Sequence, residues 1–260
     1  MSESRLSGRR IWLTGASSGI GAALAQELAS RGARLALTAR RREPLEAFAA
    51  TRPGTLVLPG DVSDREAMLA IGREIDAAWQ GLDIVILNAG TYRPVTPDTF
   101  HADIFREHFD VNVMGAVHGI EAVLPGMANR RSGRIAVVAS VTGFAALPMA
   151  SAYGATKAFL ISMCDSLRAD LTGSGVAVTV IAPGFVTTPL TAQNDFDMPF
   201  EITASAAARV IADGLEGGDD EIAFPKRMAF AMKFLGALPG PLRRRYVARI
   251  ARRRSASTRT

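Results

Sequence analysis

Two stretches of this sequence hold groups that can pass a proton. Ser140 follows the apolar run Ile135-Ala136-Val137-Val138-Ala139, and shortly afterwards comes Ser151-Ala152-Tyr153-Gly154-Ala155-Thr156-Lys157-Ala158. With Ser151 as N-cap, the second stretch predicts a helix on which Tyr153 and Lys157, at i and i+4, share one face. A tyrosine with an ordinary pKa of about 10 is only about 0.1% phenolate at neutral pH. An ammonium about 4 Å away is worth up to about 4 kcal/mol at an effective dielectric of about 20, enough to lower that pKa by a few units. The helix N-terminus acts in the same direction. A phenol tuned in this way gives a proton to a carbonyl oxygen, or takes one from an alcohol, near pH 7. The lysine is also a selective choice: of 30 Lys and Arg residues only Lys157, Lys226 and Lys233 are lysine. A surface lysine beside a half-buried tyrosine is the other reading of the same residues.

Those groups need a scaffold that brings strand ends together. Short apolar runs alternate with helical patterns, which predicts an α/β protein with a Rossmann-like, doubly wound, mainly parallel seven-stranded sheet and helices on both faces. Strands are expected at 10–13, 34–38, 55–58, 84–87, 135–139, 176–181 and 221–224, with helices that include 20–30, 64–79, 109–129 and 153–171. Residues 1–225 read as one dinucleotide-binding catalytic domain, and 226–260 as a basic amphipathic C-terminal extension.

Thr14-Gly15-Ala16-Ser17-Ser18-Gly19-Ile20-Gly21 falls where the first strand meets the first helix. Its glycines allow a tight turn, and the helix start offers free N–H groups to a pyrophosphate, so residues Gly15, Ser17, Ser18, Gly19, Ile20 and Gly21 are candidate cofactor contacts. An ordinary βα loop is the alternative, and the flanking strand and helix weigh against it. A carboxylate is expected at the end of the second strand when a ribose 2′-hydroxyl is read, but the run here is Leu37-Thr38-Ala39-Arg40-Arg41-Arg42. A guanidinium grips a 2′-phosphate bidentately, which favours NADP (NADPH) over NAD, with Arg40 as the preferred contact. Arg41 and Arg42 read equally well as a solvated helix start.

Four further stretches fit the same ligand. Asp61, beside Val62, either accepts from an adenine amine or caps the next helix. Asn88-Ala89-Gly90 ends the fourth strand with small residues and an amide, suited to a wall beside a cofactor. Asn112 is a polar residue in an apolar helix; bonded to backbone its amide can hold a water, and taken alone it reads as structural. Pro183-Gly184-Phe185-Val186-Thr187-Thr188-Pro189 ends the sixth strand, either as a proline-punctuated loop or as a contact to a nicotinamide carboxamide through the Val186 backbone and Thr188 hydroxyl. No metal is expected.

In this order the stretches resemble the compact branch of the short-chain dehydrogenase/reductase family, over residues 8 to about 225. The resemblance rests on the T-G-x-x-x-G-x-G spacing of Thr14 to Gly21, on Asp61, Asn88-Ala89-Gly90, Asn112, Ser140, Tyr153 with Lys157, and Pro183-Gly184 through Thr188. It implies that Tyr153 is the general acid/base, that Ser140 holds the substrate oxygen, and that Lys157 binds the nicotinamide ribose hydroxyls while lowering the tyrosine pKa. It further implies that Asn112 positions a water between Lys157 and solvent, and that subunits pair as a homodimer or homotetramer. Two positions depart from the pattern: Leu87 stands where many members have asparagine, and Ser18 where many NADP-dependent members have Arg or Lys. The activity implied is that of an NADP(H)-dependent carbonyl reductase or alcohol dehydrogenase. The alternatives are a non-catalytic NADP(H)-binding or sensing protein, and an epimerase or dehydratase of the longer branch.

Composition narrows the setting. At 48% hydrophobic and 21% charged residues, 260 residues can bury a sizeable core. A single cysteine, Cys164, excludes an intramolecular disulfide and fits a reducing cytoplasm. Met1 to Arg10 has no signal-peptide pattern and no run of about 20 apolar residues occurs. Residues 141–149, Tyr92, Phe185 and, from an expected lid at 190–200, Phe196, Met198 and Phe200 would line a pocket poor in charge, which favours an apolar aldehyde, ketone or alcohol. The net charge of +5 belongs to the tail: residues 226–260 hold eleven Lys and Arg and no acid, against 19 basic and 25 acidic residues before them. Its helical pattern with Met228, Ala231, Met232, Leu235 and Leu238 on one face suits peripheral contact with an anionic membrane, an oligomer contact or a lid; the arginines beyond it suit a membrane or a solvated, disordered run. Nucleic acid is disfavoured, since basic residues alone define no binding module.

Overall fold

Strands apolar on both sides are stable only when both faces of the sheet are covered, and the computed structural model, which describes residues 4–192 and 198–257, covers both. Its strands are Arg10–Thr14 (β1), Arg34–Thr38 (β2), Leu56–Val57 (β3), Ile84–Leu87 (β4), Gly133–Val138 (β5), Val176–Pro183 (β6), Val186–Thr187 (β7), Ile202–Thr203 (β8) and Glu221–Phe224 (β9). Seven of them form one parallel sheet in the order β3-β2-β1-β4-β5-β6-β9, and β7 pairs with β8 apart from it. The order reverses between β1 and β4, and the crevice beyond the strand ends there is where open α/β sheets bind ligands.

The helices are Gly19–Ser30 (α1), Arg42–Ala50 (α2), Arg65–Trp79 (α3), Ala102–His108 (α4), Gly115–Arg130 (α5), Ser151–Asp170 (α6), Ala204–Gly217 (α7), Lys226–Ala237 (α8) and Gly240–Ser257 (α9). In β1, Ile11 and Leu13 face a core shared with Leu24 and Leu28 of α1 and Ile211 of α7. Trp12, between them, faces the opposite core with Ile75 of α3, Val123 of α5 and Leu160 of α6. Cys164 is buried in that second core, and burial pushes its thiol up to about 12, consistent with a packing role.

Three differences from the sequence reading matter. The helix expected at 109–129 begins at Ala102 and is interrupted by a π turn, Phe109–Met114, that contains Asn112. The N-cap of α6 is Ala150, without a side-chain cap, and Ser151 is already helical. The described residues after Pro225 pack against the rest of the chain: α8 buries Met228, Ala229, Met232 and Leu235 against Val141 and Ala145, and α9 leans Val247 on the same cluster. Each Met or Leu side chain contributes roughly 1.5–3 kcal/mol when fully buried, so α8 is held by the core it covers.

Candidate active site

A cavity of about 580 Å³ opens at the carboxyl ends of the sheet. It is lined by Gly15, Ser17, Ser18, Gly19, Ile20 and Gly21 of the first turn, by Arg40 and Arg41 after β2, by Asp61 and Val62 after β3, and by Asn88, Ala89 and Gly90 after β4. Ser140, Tyr153, Lys157, Pro183, Gly184, Val186 and Thr188 complete the set named from sequence; Asn112 does not line it. From β2 to β6 are four strand spacings, about 19 Å at ~4.8 Å each, a span suited to an extended dinucleotide.

The turn after β1 is built for close approach. A Cβ on Gly21 would collide with the Gly15 carbonyl oxygen, and one on Gly15 would lie 2.8 Å from the Ala89 Cα. Asn88 locks this corner, its amide donating to the Thr14 carbonyl at 3.0 Å and the Gly15 carbonyl at 3.3 Å. The Thr14 hydroxyl in turn accepts from the Asn88 and Ala89 N–H groups. Thr188 packs over the turn, 3.3 Å from where a Gly19 Cβ would stand, and the Thr191 hydroxyl donates to the Val186 carbonyl at 2.7 Å. Leu87 is buried against Gly119, which explains why an apolar residue precedes Asn88.

Of the cations after β2, Arg41 is tied to the turn, donating to the Ser17 carbonyl at 3.2 Å and the Ser17 hydroxyl at 3.3 Å, while Arg40 borders the cavity from an exposed position. The two readings of Asp61 separate here. Asp64 caps α3, accepting from Ala67, whereas Asp61 accepts from the Ser63 N–H at 2.9 Å and the Ser63 hydroxyl at 2.7 Å. Burial pushes the Asp61 carboxyl up, but these bonds and the nearby Arg40 outweigh it, so the group lies below the usual carboxylate range.

Tyr153 and Lys157 share a face of α6 as their spacing required, with Nζ 5.5 Å from the centre of the phenol ring. The Lys157 ammonium donates to the Val138 carbonyl at 2.8 Å. The expected depression of the tyrosine pKa is not what the folded chain produces by itself. Burial pushes Tyr153 up to about 12, a hydrogen bond with Ser140 holding it back in part. Burial equally pushes Lys157 down to about 7. Both groups lost solvent together, and an amine that favours its neutral form offers little charge to a phenol.

Asn112 lies behind the cavity wall. Its Oδ1 accepts from the Thr91 N–H at 2.7 Å, and its Nδ2 donates to the Thr91 carbonyl at 3.0 Å and the Thr156 hydroxyl at 3.1 Å. The side chain therefore pins the segment that follows Gly90 to α6, and it reaches the cavity only through its lining residue Thr91. His108 assists: Nδ1 donates to the Ile104 carbonyl and Nε2 accepts from the Arg93 N–H at 2.9 Å.

A second, smaller cavity of about 80 Å³ adjoins the first. Ser140 and Tyr153 line both, and the smaller one is otherwise walled mainly by Tyr92, Val141, Leu147, Pro148, Phe185 and Met228. Phe144, expected among these, instead turns toward α8 with Lys233 4.9 Å from its ring centre. Met228 was missed because it lies beyond the last strand, in a segment read as an extension. Phe196 of the expected lid lies outside the described residues, and Leu190 reaches both cavities.

A doubly wound parallel sheet with a glycine-lined crevice at its switch point defines a dinucleotide-binding class of protein. Residues 9–198 match the family model described as short chain dehydrogenase. An uncharacterized oxidoreductase of Myxococcus xanthus is 41% identical over 241 residues, covering 91% of this chain and 95% of that protein. An uncharacterized oxidoreductase of Staphylococcus aureus is 35% identical over 182 residues, covering 69% and 79%. A short-chain dehydrogenase from Streptomyces avermitilis superimposes with a TM-score of 0.78 at 25% identity over 98% of this chain and 99% of that one. A short-chain dehydrogenase/reductase from Burkholderia phymatum, in complex with NAD, gives 0.80 at 23% identity, covering 90% and 94%, and shares the fold. The chain belongs to the short-chain dehydrogenase/reductase family of oxidoreductases.

Proposed function

We propose that the protein is an NADP(H)-dependent reductase or dehydrogenase acting on an apolar aldehyde, ketone or alcohol. The observation that carries this reading is that Ser140 and Tyr153 stand on the wall common to the two cavities. The two residues border a dinucleotide-sized crevice on one side and a largely apolar space on the other. The larger cavity suits a nicotinamide dinucleotide, which supplies or takes up the hydride. The glycine turn and Asn88 to Gly90 would hold it, with Pro183, Gly184, Val186 and Thr188 at one end and Arg40 and Arg41 toward a 2′-phosphate at the other.

Tyr153 gives its phenol proton to the carbonyl oxygen during reduction and receives one during oxidation. Held up to about 12 in the folded chain by itself, the phenol carries its proton at neutral pH. Ser140 holds the same oxygen through its hydroxyl. Lys157, buried and pushed down to about 7, would bind the nicotinamide ribose hydroxyls from its place beside the phenol ring. Asn112 acts through Thr91 and Thr156 as a positioning residue.

Exposed Phe109 and Phe159, ring centres 5.8 Å apart on the helical face beside Asn112 and Tyr153, support pairing of subunits as a homodimer or homotetramer. Light scattering giving a monomer would overturn that part. The catalytic reading is tested by NADPH consumption across aliphatic and aromatic carbonyls, with NADH and Tyr153→Phe in parallel. Turnover that needs NADPH and the phenol supports it; equal activity of the variant, or preference for phosphorylated substrates, sinks it.

A further inference from the structure

We infer that α8 and α9 form a docking surface for an anionic lipid bilayer. The inner face of α8 is occupied, with Met228, Met232 and Leu235 in the core, so the outer face is what remains. That face carries Phe230 and Phe234, one turn apart, 74% and 61% exposed. Lys226 and Arg227 lie one turn before Phe230 on the same side, and both are exposed. Helix α9 adds exposed Leu242 and Tyr246 among exposed Arg243, Arg244, Arg245 and Arg249, while Val247 leans inward.

Charge selects the occupant. Residues 226–260 hold eleven basic and no acidic residues, although the rest of the chain is net acidic. Lys233 pairs with Glu221 at 2.5 Å, and no acid within the segment can neutralise the others. A second copy docking face to face would set cations against cations. A nucleic acid would meet the arginines but leave Phe230 and Phe234 without an apolar phase to enter. An anionic bilayer satisfies both, with arginines at the headgroups and the aromatic rings at the acyl boundary. Among the described residues no helix is long and apolar enough to cross a membrane, so the contact is peripheral.

Because α8 is built into the core, the test uses the full chain and surface substitutions. Co-sedimentation is measured with phosphatidylcholine vesicles and with vesicles that also contain phosphatidylserine. The chain is expected to bind the mixed vesicles and to lose that binding as salt rises. Arg243→Gln/Arg244→Gln/Arg245→Gln should weaken binding roughly a hundredfold, at ~1 kcal/mol per basic residue. Phe230→Ser/Phe234→Ser should weaken it at least tenfold while thermal unfolding and turnover of a water-soluble carbonyl stay unchanged. Equal binding to both vesicle types, or retention by the Phe variant, overturns the inference. So does a self-association or RNA binding that depends on these residues without vesicle binding. Vesicle binding and thermal unfolding are read without reference to the catalytic proposal, so either proposal can fail alone.

Discussion

The ring of Tyr92 meets the ring of Tyr153 edge-on, with centroids 5.1 Å apart and planes at 70°. Tyr92 therefore both walls the smaller cavity and braces the phenol. Aromatic pairs of this geometry are worth about 0.5–1.5 kcal/mol beyond their buried area. Tyr92→Ala is expected to raise KM for an apolar carbonyl several-fold and lower kcat, with KM for NADPH unchanged. Steady-state kinetics with the carbonyl and the nucleotide varied separately distinguish this from a general loss of fold.

Lys157 makes stability depend on pH in a defined direction. Burial lowers its pKa from the ordinary 10.5 to about 7, so across that interval the unfolded chain holds a proton that the folded chain has released. Folding is then favoured as pH rises from about 7 toward 10, and below 7 the cost of burying the charge is present in full. Tyr153 acts oppositely and later: its raised value stabilises below the ordinary 10.0 and is lost as pH rises through about 12. Urea midpoints measured from pH 7 to about 8.5, below the interval in which the buried Cys164 thiol acts in the opposite sense, should climb in the parent chain and stay level in Lys157→Met. Parallel slopes would show that the amine is not the titrating group.

Gly21 tests the crevice. A methyl placed there collides with the Gly15 carbonyl and approaches the Asn88 amide at 2.6 Å. Gly21→Ala should lose about 1–3 kcal/mol of stability, in the range of overpacked sites, and should weaken nucleotide binding much further. Gly54→Ala provides the contrast at a glycine with open surroundings, its φ of 87° giving backbone strain without a clash. Calorimetric titration with NADPH separates the two.

Arg40 and Arg41 both line the cavity from exposed positions, and Arg41 is already bound to Ser17. Loss of a charge-assisted hydrogen bond is worth about 1.5–3 kcal/mol, roughly a ten- to hundredfold change. Arg40→Ser should raise KM for NADPH by that factor and leave KM for NADH within a few-fold. Equal effects on both would reassign the residue to the fold.

Much of this architecture was legible because periodicity and glycine placement report local demands. The strands at 34–38, 84–87 and 221–224 match to the residue, as each is an apolar run closed by a turn. The residues of the first turn, Asn88 to Gly90 and Tyr153 with Lys157 were legible as neighbours because strand ends converge on one edge. What was not legible depends on long-range packing. Desolvation of Tyr153 and Lys157 reversed the expected shift, which i to i+4 spacing cannot report. Met228 entered the smaller cavity through the fold of α8 onto Val141, and an amphipathic pattern does not say which surface its apolar face will meet.

The π turn at Phe109–Met114 carries one more residue than an α turn, and one residue advances a helix by about 100°. The rod on either side is thus out of phase with itself. Before the turn, Ile104 faces Val95 and Ala152; after it, Ile120, Val123 and Met127 face the sheet. Removing any one of the five residues of the turn other than Asn112 would bring the two halves back into register, and seating one correctly would swing the other away from its neighbours. Such a deletion alters the direction of Asn112 without altering its chemistry. In this helix the tally of residues, more than their identity, sets where the amide is aimed.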